Sequence, residues 1–287
     1  MYSRKLKEMI LTFMSKKRTK IVSGIISTVC IGIMLLVTVG CTDKVKEISM
    51  TVIPKIVIGI DEFQPYSFND IDGMPSGIDV DLAKEACSRM GYEPVFRYLI
   101  WDDKDKNLAD GDIDCVWSCF SMNGREDEYL WVGPYMNSRQ AVAVRQKSNI
   151  SKISELKDKS IAVQSSTKPE QLFSEKSNNI PQVKGIYCFS HKDYVFAALR
   201  KNYVDAIAGH EYMLLQLLNE EEGEYRLLPE SLLLSKLGVA FDKDNDSELP
   251  QQLKAVLNDM INDGTVAKIA EKYGLDAKNA LGGITLE

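Results

Sequence analysis

Ile78-Asp79-Val80-Asp81-Leu82-Ala83-Lys84-Glu85-Ala86-Cys87-Ser88-Arg89-Met90 is the stretch on which the fold turns. Ile78, Leu82, Ala86 and Met90 recur at helical spacing and Gly91 stops the pattern, so the spacing predicts a helix over 78–90. Its first turn carries Asp79 and Asp81, where a helix dipole favours negative charge. Paired carboxylates are also what acid–base hydrolysis uses, but at a helix start both are read as structural. Upstream, Lys55–Ile60 is a short apolar strand ending at Asp61, followed by a loop with Phe63, Pro65, Tyr66 and Phe68 and by turn residues over 70–77. Downstream come a second strand over 95–99, a short helix over Lys104–Ala109 ended by Gly111, and a third apolar strand over 113–120.

The alternation then repeats. Strands are predicted over Ser160–Gln164, 183–189 and 206–208, with helices over 168–175 and 193–201. A connecting strand over 141–144 lies between the two units, and a strand over 237–241 precedes helices over 248–263 and 266–273. Alternating strands and helices predict an α/β fold with largely parallel pairing. Two such units joined by strands predict two lobes, residues 51–143 with 237–287 in lobe 1 and residues 144–236 in lobe 2.

The N-terminal segment reads as an address. Arg4, Lys5, Lys7, Lys16, Lys17, Arg18 and Lys20 are opposed only by Glu8, and residues 21–39 carry no charge. A basic head, an apolar run and a small residue at a break form an export signal. Thr38-Val39-Gly40-Cys41 resembles a bacterial lipobox, with Thr38 where Leu is usual. That implies removal of residues 1–40, a lipid on Cys41 and a polar spacer over 41–50. The uncharged run of 19 residues also approaches the roughly 20 that span a bilayer, so an uncleaved anchor is the alternative. Either way the basic head places the rest of the chain outside, tethered to the outer face of the cell membrane.

Residues 41–287 carry 28 Lys and Arg against 40 Asp and Glu, a formal charge of −12. That composition argues against a nucleic-acid surface and for a soluble acidic domain. Export permits disulfides, yet Cys115 and Cys119 sit in what reads as one strand, roughly 13 Å apart against a reach of about 7 Å. Cys87, Cys115, Cys119 and Cys188 are therefore expected to be free, partly buried thiols. His191 and His210 are the only histidines, so no zinc pattern exists and neither metal nor cofactor is expected.

Several segments resemble the extracellular solute-binding proteins, family 3, that serve polar amino-acid uptake. Ile58-Gly59-Ile60-Asp61 with Pro65-Tyr66-Ser67-Phe68 is similar to their first strand and loop, and Gly77-Ile78-Asp79-Val80-Asp81-Leu82-Ala83 to their G-[FI]-D-[IV]-D-L-A segment. Trp101 with 108–114, Arg125 with Trp131-Val132-Gly133-Pro134-Tyr135, 156–164, and 263–274 match further segments in order. The resemblance implies a two-lobed clamp of the type II periplasmic-binding-protein class with a strand hinge, holding a small ligand between its lobes.

It also implies roles. Arg125 matches the residue that grips a ligand carboxylate, as a guanidinium does with two parallel hydrogen bonds. Cys119, where Ser is frequent, and Ser121 match strand-end ligand contacts; Ser166 and Thr167 match the hydroxyls and amides that close on the carboxylate from the second lobe. Phe63 and Trp101 match positions lining the side-chain pocket, with Trp117 undecided between pocket and core, and Asp61 matches a contact to the ligand side chain. His210 stands where the family usually has an Asp that pairs with the ligand ammonium. A protonated His would repel that group. Either Glu211 substitutes, or the ligand lacks a standard amino group there.

The function implied is a monomeric binding component that delivers a carboxylate-bearing solute, an amino acid or derivative, to the permease of an ABC importer. A sensory receptor acting on a signalling partner is the alternative, and a cleft enzyme of dehydratase type a remote one. No Ser-His-Asp or metal spacing supports an enzyme.

Overall fold

A computed structural model describes residues 52–175 and 180–284. The export segment, Cys41 and the spacer lie outside the described residues. Among the described residues, no helix is long and apolar enough to cross a membrane.

Strand β1 (Lys55–Ile60) is followed by a small hairpin, β2 (Phe68–Asn69) and β3 (Pro75–Ser76), and then by helix α1 (Ile78–Met90). The predicted periodicity buries Ile78, Val80, Leu82, Ala83, Ala86 and Cys87 on α1. Burying such a side chain fully stabilises by about 1.5–3 kcal/mol for Leu or Ile. Gly91 ends the helix at φ 78°, a left-handed angle that carries no Cβ penalty for glycine. The chain returns in β4 (Glu93–Tyr98), parallel to β1, passes through α2 (Lys104–Ala109), and adds β5 (Cys115–Val116) parallel to the other edge of β1.

The third strand is much shorter than the apolar run over 113–120 predicts. Only Cys115 and Val116 pair as a strand; Cys119 takes a left-handed angle, φ 47°, and beyond it Ser121 bridges to Leu237 while Phe120 and Met122 bond to the backbone of Gly238 and Lys236. The connecting strand is the reverse case. Strand β6 (Leu130–Arg145) extends far beyond the predicted 141–144, straight through Gly133-Pro134. It pairs antiparallel with β11 (Leu233–Phe241), with a register shift between Leu237 and Val239. A Cβ on Gly133 would lie 2.9 Å from the Gly238 Cα, so the two strands approach as closely as they do only because glycines meet there.

The second unit contains β7 (Ser160–Gln164), α3 (Lys168–Ser174), β8 (Gly185–Phe189), α4 (Lys192–Arg200) and β9 (Ala206–His210). Helix α5 (Glu211–Glu220) and β10 (Tyr225–Leu227) follow. The sheet order is β4-β1-β5-β11-β6-β9-β7-β8, with β10 on β6. Pairing is thus mixed rather than largely parallel. The outer strands of each unit are parallel, while β5, β11, β6 and β9 pair antiparallel through the middle. The fold is the two-lobed clamp, with the long β6 and β11 running through its centre.

Helices α6 (Leu249–Asn262), α7 (Thr265–Lys272) and α8 (Ala277–Leu281) close the first unit. Arg89 of α1 reaches Asp263 at 2.7 Å, and Asp81 accepts from Lys272 Nζ at 2.6 Å and from the Tyr273 hydroxyl at 2.9 Å. Asp81 is therefore a tie between helices as well as an acid at a helix start. Cys87, Cys115 and Cys119 are buried thiols, whereas Cys188, on the edge strand β8, is exposed rather than partly buried.

Candidate functional site

The site forms where strand ends converge. Asp61 follows the last residue of β1, and its backbone N–H donates to the Ser118 hydroxyl at 3.0 Å. Ser67 donates to the Asp61 carbonyl at 2.7 Å and shares a 2.9 Å bond with Ser118, so three buried polar residues fix this corner. Beyond β5, the Cys119 N–H donates to Asp79 Oδ2 at 2.6 Å, and the Tyr135 hydroxyl donates to Asp79 Oδ1 at 2.8 Å. No side chain caps the start of α1. Asp79 is instead a buried acid that pins the backbone of the cleft, and burial raises its pKa to about 7. Ser121 is tied to β11 through a 3.0 Å bond to the Ser235 hydroxyl.

Arg125 sits in the turn after this segment. Its carbonyl accepts from Trp131 Nε1 at 2.8 Å and its guanidinium lies 5.4 Å from the centre of the Phe120 ring. The residue is only 9 % exposed, yet the contacts of its charged end are long: 3.4 Å to the Ser121 carbonyl and 3.4 Å to the Ser166 carbonyl. Among the described residues, the one acid within salt-bridge distance is Glu128, 4.0 Å from Nε and itself exposed. Burial lowers the Arg125 pKa from its ordinary value, an effect its acidic neighbours only partly offset.

The facing wall begins where β7 ends. Gln164 Nε2 donates to Asp61 Oδ2 at 2.9 Å, bridging the cleft. Ser166 adopts φ 57°; its N–H donates to Glu170 Oε2 at 2.6 Å and its hydroxyl to Asp102 Oδ1 at 2.9 Å. Its carbonyl receives Trp101 Nε1 at 3.3 Å. Thr167 does not cap α3 with its side chain; its hydroxyl turns back to the Gln164 carbonyl at 2.6 Å. Lys168 is buried and donates to Gln171 Oε1 at 2.8 Å.

His210 closes the floor at the end of β9. It shares a 2.8 Å bond with the Ser138 hydroxyl and contacts the Gln140 amide at 2.9 Å, and Phe63 packs edge-on to its ring at 5.7 Å. Burial, with Arg125 adding to it, pushes its pKa down to about 3, so the ring is neutral. Glu211 takes no part in the cleft lining, because its carboxylate pairs with Arg139 at 2.6 Å.

These walls meet around one cleft, lined by polar and aromatic side chains from both sides. The structure brings nine of the ten expected residues to it. Asp61, Phe63 and Trp101 come from the loops after β1 and β4, Cys119, Ser121 and Arg125 from the segment after β5, and Ser166, Thr167 and His210 from the second unit. Trp117 is core, 1 % exposed and packed on Tyr135. Sequence reading missed Ser118, Phe120, Gln164 and Lys168. Gln164 had a signal: it ends the predicted strand β7 much as Asp61 follows the end of β1. Lys168 had none, since a lysine at a helix start reads as a surface residue. The cleft presents donors for an anion, aromatic faces and one carboxylate. Among the described residues, no cluster of His, Cys, Asp and Glu could hold a metal ion.

Residues 56–276 match the profile of the bacterial extracellular solute-binding proteins, family 3. The chain belongs to this family. Among its relatives, the L-cystine-binding protein TcyJ of Escherichia coli K12 is 24% identical over 240 residues, covering 82% of this chain and 86% of that protein. The histidine-binding periplasmic protein of Salmonella typhimurium LT2 is 27% identical over 229 residues, covering 76% and 87%. Among solved structures, an ancestral arginine-binding protein bound to glutamine superposes with a TM-score of 0.69 at 25% identity, covering 77% of this chain and 97% of that one. At the floor of the cleft of this family 3 solute-binding protein, His210 is neutral and Glu211 is committed to Arg139.

Proposed function

We propose that this protein captures a small carboxylate-bearing solute, an amino acid or a derivative, outside the cytoplasm and delivers it to the permease of an ABC importer. The observation that carries the reading is Arg125: a buried guanidinium in the cleft whose protein contacts are two carbonyls at 3.4 Å and one exposed acid at 4.0 Å. A carboxylate offers such a group two short, charge-assisted bonds, each worth about 1.5–3 kcal/mol. Relatives named for cystine and histidine, and a similar structure bound to glutamine, support an amino acid.

Ligand would bridge the strand ends after β5 and β7, the former in the lobe of residues 51–143 and 237–287, the latter in that of residues 144–236. Contacts made only when both walls meet the ligand give the closed clamp its differential affinity. A lipid on Cys41 keeps a monomeric clamp near its membrane partner. Neutral His210 does not repel a ligand ammonium, and its two ring nitrogens already meet Ser138 and Gln140.

Calorimetry and thermal shift with a panel of amino acids, dipeptides and carboxylic acids test the reading, because a ligand that binds only the folded chain raises its melting midpoint. A carboxylate ligand is expected to bind the wild type and to lose affinity in Arg125→Ala. An Arg125→Ala protein with full affinity sinks the proposal.

A further inference from the structure

We infer that the cleft selects solutes of net negative charge, with Lys168 serving beside Arg125 as the second cation of its anion-binding wall. The inference rests on the carboxylate reading above and adds the charge class of the ligand to it.

Five ionisable side chains line the cleft: Arg125, Lys168, Asp61, His210 and Cys119, whose thiol burial holds well above its ordinary pKa and so keeps neutral. Lys168 is 7 % exposed, and among the described residues no carboxylate oxygen lies within 4.0 Å of its ammonium. Its one bond goes to Gln171 Oε1 at 2.8 Å, an amide held in that orientation by the 2.9 Å bond from its own Nε2 to Glu175. One neutral acceptor satisfies one of three ammonium donors. The buried Lys104 shows the contrast, since it pairs with Asp105 at 3.3 Å and lies against the Trp101 and Phe120 rings.

Lys168 and Arg125 also stand close together. A Cβ on Gly124 would lie 3.1 Å from Lys168 Nζ, which puts the amine against the backbone one residue before Arg125. Burial lowers the pKa of both cations, and the charge of Arg125 lowers that of Lys168 further, against the more distant Glu175, Glu126 and Glu128 carboxylates, which raise it. Two like charges held in a poorly solvated wall are destabilised together, and an anion placed between them relieves both.

The opposing charge inside the cleft is small. Asp61 is the one acid among the lining residues, and its oxygens already accept from Gln164 Nε2 at 2.9 Å and the Glu62 N–H at 2.8 Å. His210 is neutral. Two cations therefore face one anion. Asp102 and Glu170 are engaged by Ser166, accepting its hydroxyl and its N–H, and Glu128 is exposed. Charges at the solvated rim are screened more than those inside. A cationic solute adds to the positive excess, a zwitterion leaves it, and a zwitterion with a second acidic group or a dicarboxylate cancels it.

Matched probes that differ in charge at nearly constant shape test this: L-glutamate against L-glutamine, L-aspartate against L-asparagine, and L-arginine as the cation, each titrated into wild type and Lys168→Gln. The wild type is expected to prefer the acidic member by about tenfold or more, the scale of one charge-assisted bond. Lys168→Gln is expected to keep its melting midpoint and to lose most of that preference. Preference for glutamine, asparagine or arginine, lost in Arg125→Ala, overturns this inference while leaving the carboxylate reading intact. An unchanged acid-to-amide ratio in Lys168→Gln overturns the role of Lys168. Absence of binding by every probe counts against both readings.

Discussion

Cys119 and Ser166 are both strand-end residues lining the cleft, one from each wall, and both take left-handed backbone angles, φ 47° and φ 57°. That conformation costs a residue with a Cβ roughly 1–2 kcal/mol, so each must be held. Cys119 is held from afar: its N–H goes to the buried Asp79 carboxylate, itself fixed by Tyr135. Ser166 is held by Glu170 four residues on and, across the cleft, by the Asp102 carboxylate at the rim. The first wall is thus anchored in the buried interior, whereas the second is held at this point by polar contacts nearer solvent. A clamp works this way: one surface preorganises the ligand, and the other adapts and closes.

The largest test removes the deep anchor. Asp79→Ala leaves the Cys119 N–H and the Tyr135 hydroxyl buried without partners, and each orphan costs about 1–3 kcal/mol. Denaturant unfolding is expected to show a loss of about 2–5 kcal/mol; a loss below about 1 kcal/mol would mean that the first wall does not depend on Asp79. Next comes Arg125→Ala, for which two charge-assisted bonds predict a fall in affinity of about 100-fold or more, read by calorimetry, with little change in the unliganded melting midpoint.

The pH dependence sharpens the same contrast between buried groups. Burial raises Asp79 to about 7, above its unfolded value, so its contribution is fully present below about pH 4 and is lost as pH rises towards 7. His210 is the opposite case: its folded pKa is about 3, below its unfolded value, so its contribution is present above about pH 6.5 and is lost as pH falls. The two oppose each other across the acid range. Melting curves should therefore separate the variants: Asp79→Asn loses stability on acidification more steeply than wild type, and His210→Gln less steeply. Identical slopes in all three proteins would reject both assignments. Because His210 stays neutral, affinity for a carboxylate probe should not change through His210 between about pH 5 and 8.

The smallest effect is expected at the second wall. Ser166→Ala removes one hydroxyl bond to Asp102 at a partly exposed site, and the affinity change should stay within about fivefold, under about 1 kcal/mol. A change as large as that of Arg125→Ala would show that the second wall is as rigidly specified as the first.

Local periodicity made several elements legible without coordinates. Helix α1 and β7 have the bounds that their residues predict, because a helix face or a buried strand is written in consecutive apolar positions. The ordered segments from Ile58 to Gly274 also carried the family, and with it nine of the residues that line the cleft. Other features depend on partners distant in sequence. The length of β6 follows from its pairing with β11, far along the chain, and from the glycine contact at Gly133 and Gly238. The left-handed turn at Cys119, which breaks the apolar run after β5, is held by Asp79. By itself, then, the sequence determined the strand–helix alternation, the charge of the chain and the presence of Arg125. Only the tertiary structure decided that Asp79 serves the cleft rather than its own helix, that Glu211 goes to Arg139, and that Lys168 is buried beside Arg125. Propensity acts between neighbours in the chain, whereas the fate of a buried charge is set by whichever distant groups the fold brings within a few ångströms of it.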